Sequence, residues 1–282
     1  MLKRVLVAVV GIPLLIALLS YAPDWATMLL MVALCAVGAH ELMHAVTGNS
    51  GKQLVALTVT VAGLLPVCIY AEYEQAGLRL TALPLVPFTA LLAMLFVFLL
   101  FVAAIRRYDR ETAIPFADVT AAIFAGLVFP LMLSCLLRAR LFDGGSVLVW
   151  VPLAVSFGSD TCALFAGMAF GKHKLAPRVS PHKTVEGGIG GLLGGILGLL
   201  ILRWIVQIIS GTVMLEYWKI ILLGVFGAAV SEVGDLSFSV IKREFGVKDY
   251  GKLLPGHGGV LDRFDSVTFV APLIWFLLSI VR

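Results

Sequence analysis

Residues 218–265 read WKIILLGVFGAAVSEVGDLSFSVIKREFGVKDYGKLLPGHGGVLDRFD. The first half, 218–241, is long and apolar enough to cross a hydrocarbon core, which takes about 20 residues. The second half has the opposite character: from Ser239 to Asp265, 27 residues carry nine charged side chains, His257 and five glycines. Charge at that density beside a membrane span is costly, which marks the segment as functional.

Working outward, the rest of the chain repeats the apolar half. Of 282 residues, 60% are hydrophobic and 13% charged, and the mean hydropathy is +1.03. That composition excludes an ordinary soluble domain. Apolar runs near 5–22, 25–46, 53–71, 83–105, 117–137, 147–170, 187–209, 218–241 and 266–281 predict an all-α polytopic membrane protein with nine transmembrane helices. The first run directly follows Met1-Leu2-Lys3-Arg4, has no small-residue cleavage site and is followed by further spans, so it reads as a helix, not a signal peptide. No repeat or low-complexity tract divides the chain. Residues 1–282 read as one membrane domain, with 1–140 as apolar scaffold facing lipid and 147–282 as the half that bears the chemistry.

Basic residues favour the cytoplasmic side of short loops. With the N-terminus inside, fifteen of the twenty-one Lys and Arg residues fall on the cytoplasmic side. The other side holds Arg79, Arg138, Arg140, Lys219 and Arg282, and Arg203 lies within a span. The expected topology is N-in, C-out, with loops 171–186 and 242–265 cytoplasmic. The net charge of +4 follows from this bias and from anionic headgroups, and gives no reason to expect a nucleic-acid partner. Cys35, Cys68, Cys135 and Cys162 are scattered through separate spans without a Cys-x-x-Cys pair and read as small buried hydrophobes.

His40-Glu41-Leu42-Met43-His44 is a literal H-E-x-x-H. On a helix its histidines could share a zinc ion with Glu41 as base. A protease of that kind also needs a distant third ligand, and Asp143-Gly144 lies on the wrong side in the expected topology. The better reading leaves the histidines in the interfacial zone and turns Glu41 toward the bundle.

Carboxylates within spans are more telling, because each must face a partner, a cavity or an ion. Asp160 lies in Gly158-Ser159-Asp160-Thr161, with Ala163 and Gly167 spaced to admit another backbone. In 218–241 and its continuation, Ser231, Glu232, Asp235, Ser239 and Lys242 fall within a wedge of about 100° at helical periodicity. The loop that follows adds Lys242, Arg243, Lys248, Lys252 and Arg263 for phosphate oxygens. Gly256, Gly258 and Gly259 allow close backbone approach, and Asp249, Asp262 and Asp265 are oxygen ligands. Acids and bases interleaved with glycine suit a Mg²⁺-polyphosphate site. Lys172, Lys174, Arg178 and Ser180-Pro181-His182-Lys183-Thr184-Val185-Glu186-Gly187-Gly188 form a second basic, glycine-framed element. Neither G-x-x-x-x-G-K-[ST] nor a strand-borne G-x-G-x-x-G is present.

The segment Ser239-x-x-Lys242-Arg243-x₄-Lys248-Asp249-x-Gly251-x₃-Pro255-x-His257-Gly258-Gly259-x₂-Asp262-Arg263-x-Asp265 resembles the signature of the phosphatidate cytidylyltransferases, with no departure at its fixed positions. The likeness extends to Gly234-Asp235, Ser180-Pro181-x-Lys183-Thr184-x-Glu186-Gly187 and Ser159-Asp160. It covers about the C-terminal half; the N-terminal half matches only in being apolar. The resemblance implies transfer of a cytidylyl group from CTP to phosphatidate, giving CDP-diacylglycerol and pyrophosphate at the cytoplasmic face of a bacterial inner membrane. It implies Mg²⁺, with a second, monovalent cation left open, and favours a homodimer among membrane lipids.

On this reading Asp235, Lys242, Asp262 and Ser239 carry the chemistry. Asp235 and Asp262 lead the metal ligands, with Asp160, Asp249 and Asp265 nearby as further ligands or as acceptors for groups bound to the metal. Arg243, Lys248, Arg263, Lys183, His257, Gly258 and Gly259 receive the phosphates, His257 as a hydrogen-bonding or loop-ordering group. A transporter would show repeated halves or broken helices, and neither is visible. A CTP-using lipid-alcohol kinase would release CDP instead of pyrophosphate.

Overall fold

The computed structural model describes residues 9, 11–47, 51–77, 87–109, 113–253 and 258–281. Helices account for nearly all of them: α1 (Gly11–Tyr21), α2 (Asp24–Thr47), α3 (Lys52–Gly77), α4 (Phe88–Arg107), α5 (Phe116–Arg140), α6 (Gly145–Phe170), α7 (Val185–Ser210), α8 (Tyr217–Glu244) and α9 (Leu261–Val281). Among the described residues, eight helices are long and apolar enough to cross a membrane. The shorter α1 lies in the expected first span, 5–22, which begins outside the described residues. The fold is therefore all-helical and polytopic.

Two details depart from uniform spans. The run 117–137 reads as one helix, but α5 contains a π-helical turn at Phe124–Val128. Pro130 has no N–H to give to the carbonyl four residues back, so the helical ladder slips just ahead of it. The polar loop 171–186 holds a hairpin, β1 (Lys174–Ala176) and β2 (Ser180–Thr184), antiparallel with Lys174 opposite Thr184 and Ala176 opposite Ser180.

The chain divides into two compact units. The first holds the residues up to Leu141 together with Asp249–Asp262. Its interior is built on α2, α3 and α5: Met31, Ala39, Leu42, Leu65, Phe129 and Leu133 are buried. Gly38 gives room to the Phe129 ring, because a Cβ there would stand 2.5 Å from it. Arg140, at the end of α5, pairs with Asp24 at 2.7 Å and donates to the Ala22 carbonyl at 2.9 Å. One ion pair thus joins the end of α5 to the start of α2.

The second unit holds 142–248 and 263–282. Its core gathers Val151, Val155, Leu199, Ile220, Leu223, Val270 and Ile274. α6 and α7 approach until backbone meets backbone: a Cβ at Gly194 or Gly198 would collide with the carbonyls of Gly158 and Ala154. Lipid tails are as apolar as leucine, so close packing through small residues drives such pairs. Gly194 and Gly198 are explained by that contact, and Gly195 by the approach of Gly224 on α8.

Candidate active site

In the second unit the sequence wedge on α8 is realised with an added partner. Lys183 of β2 places its Nζ 2.8 Å from Glu232 Oε1 and 2.7 Å from Asp235 Oδ2. Ser239, one turn beyond, donates to Asp235 Oδ1 at 3.3 Å. Asp160 of α6 interacts electrostatically with Asp235, Lys183 and Glu232. Asp265 of α9, buried, interacts with Asp235, Lys242 and Asp160, and its Oδ1 accepts the Ser266 N–H at 2.8 Å. Four carboxylates from three helices thus gather, with Lys183 from the hairpin paired to two of them and Lys242 acting on Asp265. Burial works against the Lys183 ammonium, but Asp235 and then Glu232 outweigh it and hold its pKa above the usual lysine value.

The hairpin that delivers Lys183 is tied down at both ends. At its base, Glu186 Oε2 accepts N–H bonds from Lys172 and His173 at 3.1 and 3.2 Å, and Oε1 lies 2.6 Å from His173 Nδ1. Thr184 caps α7, its Oγ1 accepting the Gly187 N–H at 3.1 Å. At the tip, Arg243 Nε donates to the Val179 carbonyl at 3.1 Å. Lys183 therefore sits on a fixed platform. Lys172, Lys174 and Arg178 are exposed around it, as are Lys248 and Arg263 of the same unit.

In the first unit, Asp262 Oδ2 accepts N–H bonds from Tyr250 at 2.9 Å and Gly259 at 3.0 Å. Asp249 is exposed, and Gly258 adopts a positive φ of 84°. His257 lies outside the described residues. The structure also brings in a residue that the signature omits: Glu41 of α2, buried, accepts from Val260 N at 3.1 Å and Leu261 N at 2.9 Å. His40 and His44 are exposed, with ring centroids 6.0 Å apart. Glu41 is thus turned away from them into the bundle.

Among the described residues, no three His, Cys, Asp or Glu side chains stand close enough to chelate an ion by themselves. For Mg²⁺ that is an ordinary condition, because it is held by one or two carboxylates together with waters and phosphate oxygens. The donors around Asp235 are hard oxygens. In addition, Ser156 Oγ and Ser231 Oγ are buried with no partner among the described residues, each one helical turn before a carboxylate, Asp160 and Asp235 respectively. Buried orphan hydroxyls call for water or an oxygen-coordinated cation nearby. The residues fit the group.

Helices of membrane length and a charged cluster set among them define a polytopic membrane protein with a polar site inside its helical body. The chain belongs to the cytidylyltransferase family, whose model matches residues 2–281. A Bacillus subtilis strain 168 protein named phosphatidate cytidylyltransferase is 39% identical over 160 residues, 57% of this chain and 56% of that one. Proteins of the same name from Staphylococcus epidermidis and Thermotoga maritima are also similar. The first is 46% identical over 120 residues, 43% of this chain and 44% of the relative. The second is 33% identical over 174 residues, 62% and 64% respectively. The chain thus spans about half the length of the curated relatives it matches.

Proposed function

We propose that this protein transfers the cytidylyl group of CTP to phosphatidate, forming CDP-diacylglycerol and releasing pyrophosphate, with Mg²⁺ as cofactor. The observation that carries this reading is Lys183 held between Glu232 and Asp235, because Lys183 and Asp235 both lie in segments that resemble the family signature. The relatives' shared name supports the same reaction. The positive-inside bias supports a cytoplasmic active site in a bacterial inner membrane, N-terminus inside.

In the reaction the lipid phosphate attacks the α-phosphorus of CTP in line, and two anions must be brought together. Asp235, with Asp160 and Asp265 beside it, would supply the one or two carboxylates that hold Mg²⁺, which when bound would neutralise phosphate charge. Ligand roles for Asp262 and Asp249 rest on the signature alone. Ser239 fixes one oxygen of Asp235 and Lys183 occupies the other. On arrival of a polyphosphate, the Lys183 ammonium exchanges carboxylate for phosphate oxygens and carries its charge to the substrate. Lys242, Arg243, Lys248 and Arg263 add positive charge for the triphosphate and the lipid phosphate, and Gly258 and Gly259 offer backbone amides. A phosphate monoester is already largely ionised at neutral pH, so no strong general base is required.

Purified protein given phosphatidate, Mg²⁺ and CTP labelled at the α-phosphate is expected to move label into the lipid fraction and release pyrophosphate. Label that stays aqueous beside an active relative overturns the reading. Release of CDP with γ-phosphate entering the lipid assigns a kinase instead.

A further inference from the structure

We propose that Glu41 is a positioning residue for the signature segment: its carboxylate, reaching from α2, fixes where α9 begins and how the loop ahead of it folds. The role deepens the proposed reaction and rests on it for its kinetic readout.

A carboxylate 5% exposed in an apolar bundle must be matched by strong donors. Glu41 finds them 219 and 220 residues away, in the N–H groups of Val260 and Leu261. Those groups open α9, and the first N–H groups of a helix have no intrahelical acceptor. The positive end of the helix dipole favours an anion at that point. One side chain therefore satisfies two orphan donors and sets the first residue of the helix.

The loop is also shaped to admit this side chain. A Cβ on Gly251 would collide with Glu41 Oε1, and one on Gly259 would stand 2.5 Å from Oε2. Neither glycine has a positive φ. Both are required by the space the carboxylate takes, not by backbone conformation. Asp262, the second residue of α9, then ties Tyr250 and Gly259 to the same helix start through its Oδ2. Two signature glycines and the signature aspartate are thus assembled around a residue in the half of the chain that the signature does not reach.

The test compares wild type, Glu41→Gln, Gly259→Ala and the double variant Glu41→Asp/Gly259→Ala in the intact protein. Transfer of α-label by wild type is measured first; its absence overturns the reaction, while amide exchange still tests Glu41. Gln keeps the size but turns an acceptor into a donor facing an N–H. Glu41→Gln is expected to lower kcat per folded molecule about 10- to 100-fold, the range spanned by a lost hydrogen bond to a charged group. KM for CTP should be little changed, and hydrogen exchange should quicken at Val260 and Leu261 with the α2 amides still protected. Shortening Glu41 by one methylene makes room for the new methyl, so the double variant is expected to exceed Gly259→Ala alone. Glu41→Gln with wild-type kcat per folded molecule overturns the proposal even if melting is lowered. So does unchanged exchange at Val260 and Leu261, or a double variant no better than Gly259→Ala.

Discussion

Glu41 and Asp235 are both carboxylates carried into apolar surroundings by membrane-length helices, one in each unit, and their partners are of opposite kinds. Glu41 accepts from two backbone N–H groups, which are fixed once the helix forms. Asp235 accepts from a serine hydroxyl and a lysine ammonium, which can turn to another acceptor without unfolding anything. The first arrangement suits a residue that builds, the second a residue that exchanges partners during a reaction. A carboxylate's neighbours thus say more about its role than its depth does.

Asp235→Asn attacks the exchanging side most directly. The amide keeps the shape and an acceptor for Ser239, but removes the charge that faces Lys183 and any bound cation. Turnover is expected to fall by about 1000-fold, the upper range for losing one group that stabilises transition-state charge. The thermal midpoint should shift only modestly, because Lys183 keeps Glu232. A variant within tenfold of wild type would remove Asp235 from the chemistry. Asp262→Asn sharpens the contrast within one residue: the amide oxygen can still accept Tyr250 and Gly259, so the loop bonds survive while the charge is lost. A fall of about 100-fold in turnover, with loop amide protection intact, is the result expected of a metal ligand. Near-normal turnover would leave Asp262 with the loop alone.

How much of this was legible in the sequence depended on distance along the chain. The wedge on α8 follows from periodicity, and Glu232 and Asp235 do share a partner, with Ser239 bonded to Asp235. That this partner is Lys183 requires a hairpin in 174–184, where Ser180-Pro181-His182-Lys183 shows no strand alternation and reads as loop. The pairing is imposed by the ends, through Glu186, Thr184 and the Arg243 contact at Val179. The partners of Glu41, which the sequence already turns toward the bundle, were hidden for a different reason. H-E-x-x-H draws the eye to its histidines, while the partners of the glutamate are backbone amides, which leave no mark of residue type. Gly251 and Gly259 were the available trace, and a glycine in a loop has many explanations.

Thr184→Ala probes the same kind of bond as Glu41 makes, side-chain oxygen to helix-start N–H, but without charge. Loss of the Thr184 cap is expected to cost about 1 kcal/mol of stability, read as a lowered thermal midpoint. Gly167 and Gly171 pack toward the Thr184 side chain, so the cost should not fall below that of the cap alone. Turnover should decline only a few-fold, since Lys183 keeps its two carboxylates. A loss as large as that of Asp235→Asn would mean that hairpin placement, not charge, limits the reaction.

The smallest effect is expected from the most conspicuous motif. His40 and His44 are exposed on α2, and among the described residues no further His, Cys, Asp or Glu joins them in a cluster of three. Replacing both by alanine removes two exposed rings and leaves Glu41 with Val260 and Leu261. Surface changes of that kind usually fall within about 0.5 kcal/mol, so turnover and melting should stay near wild type, with zinc content unaffected. The double variant therefore isolates the glutamate from the motif that contains it. If activity falls in proportion to lost zinc, then the histidines bind metal and Glu41 serves that metal, and the contrast between a building and an exchanging carboxylate collapses. If activity persists in His40→Ala/His44→Ala but not in Glu41→Gln, the middle letter of H-E-x-x-H is the one that matters, through a helix start more than two hundred residues away.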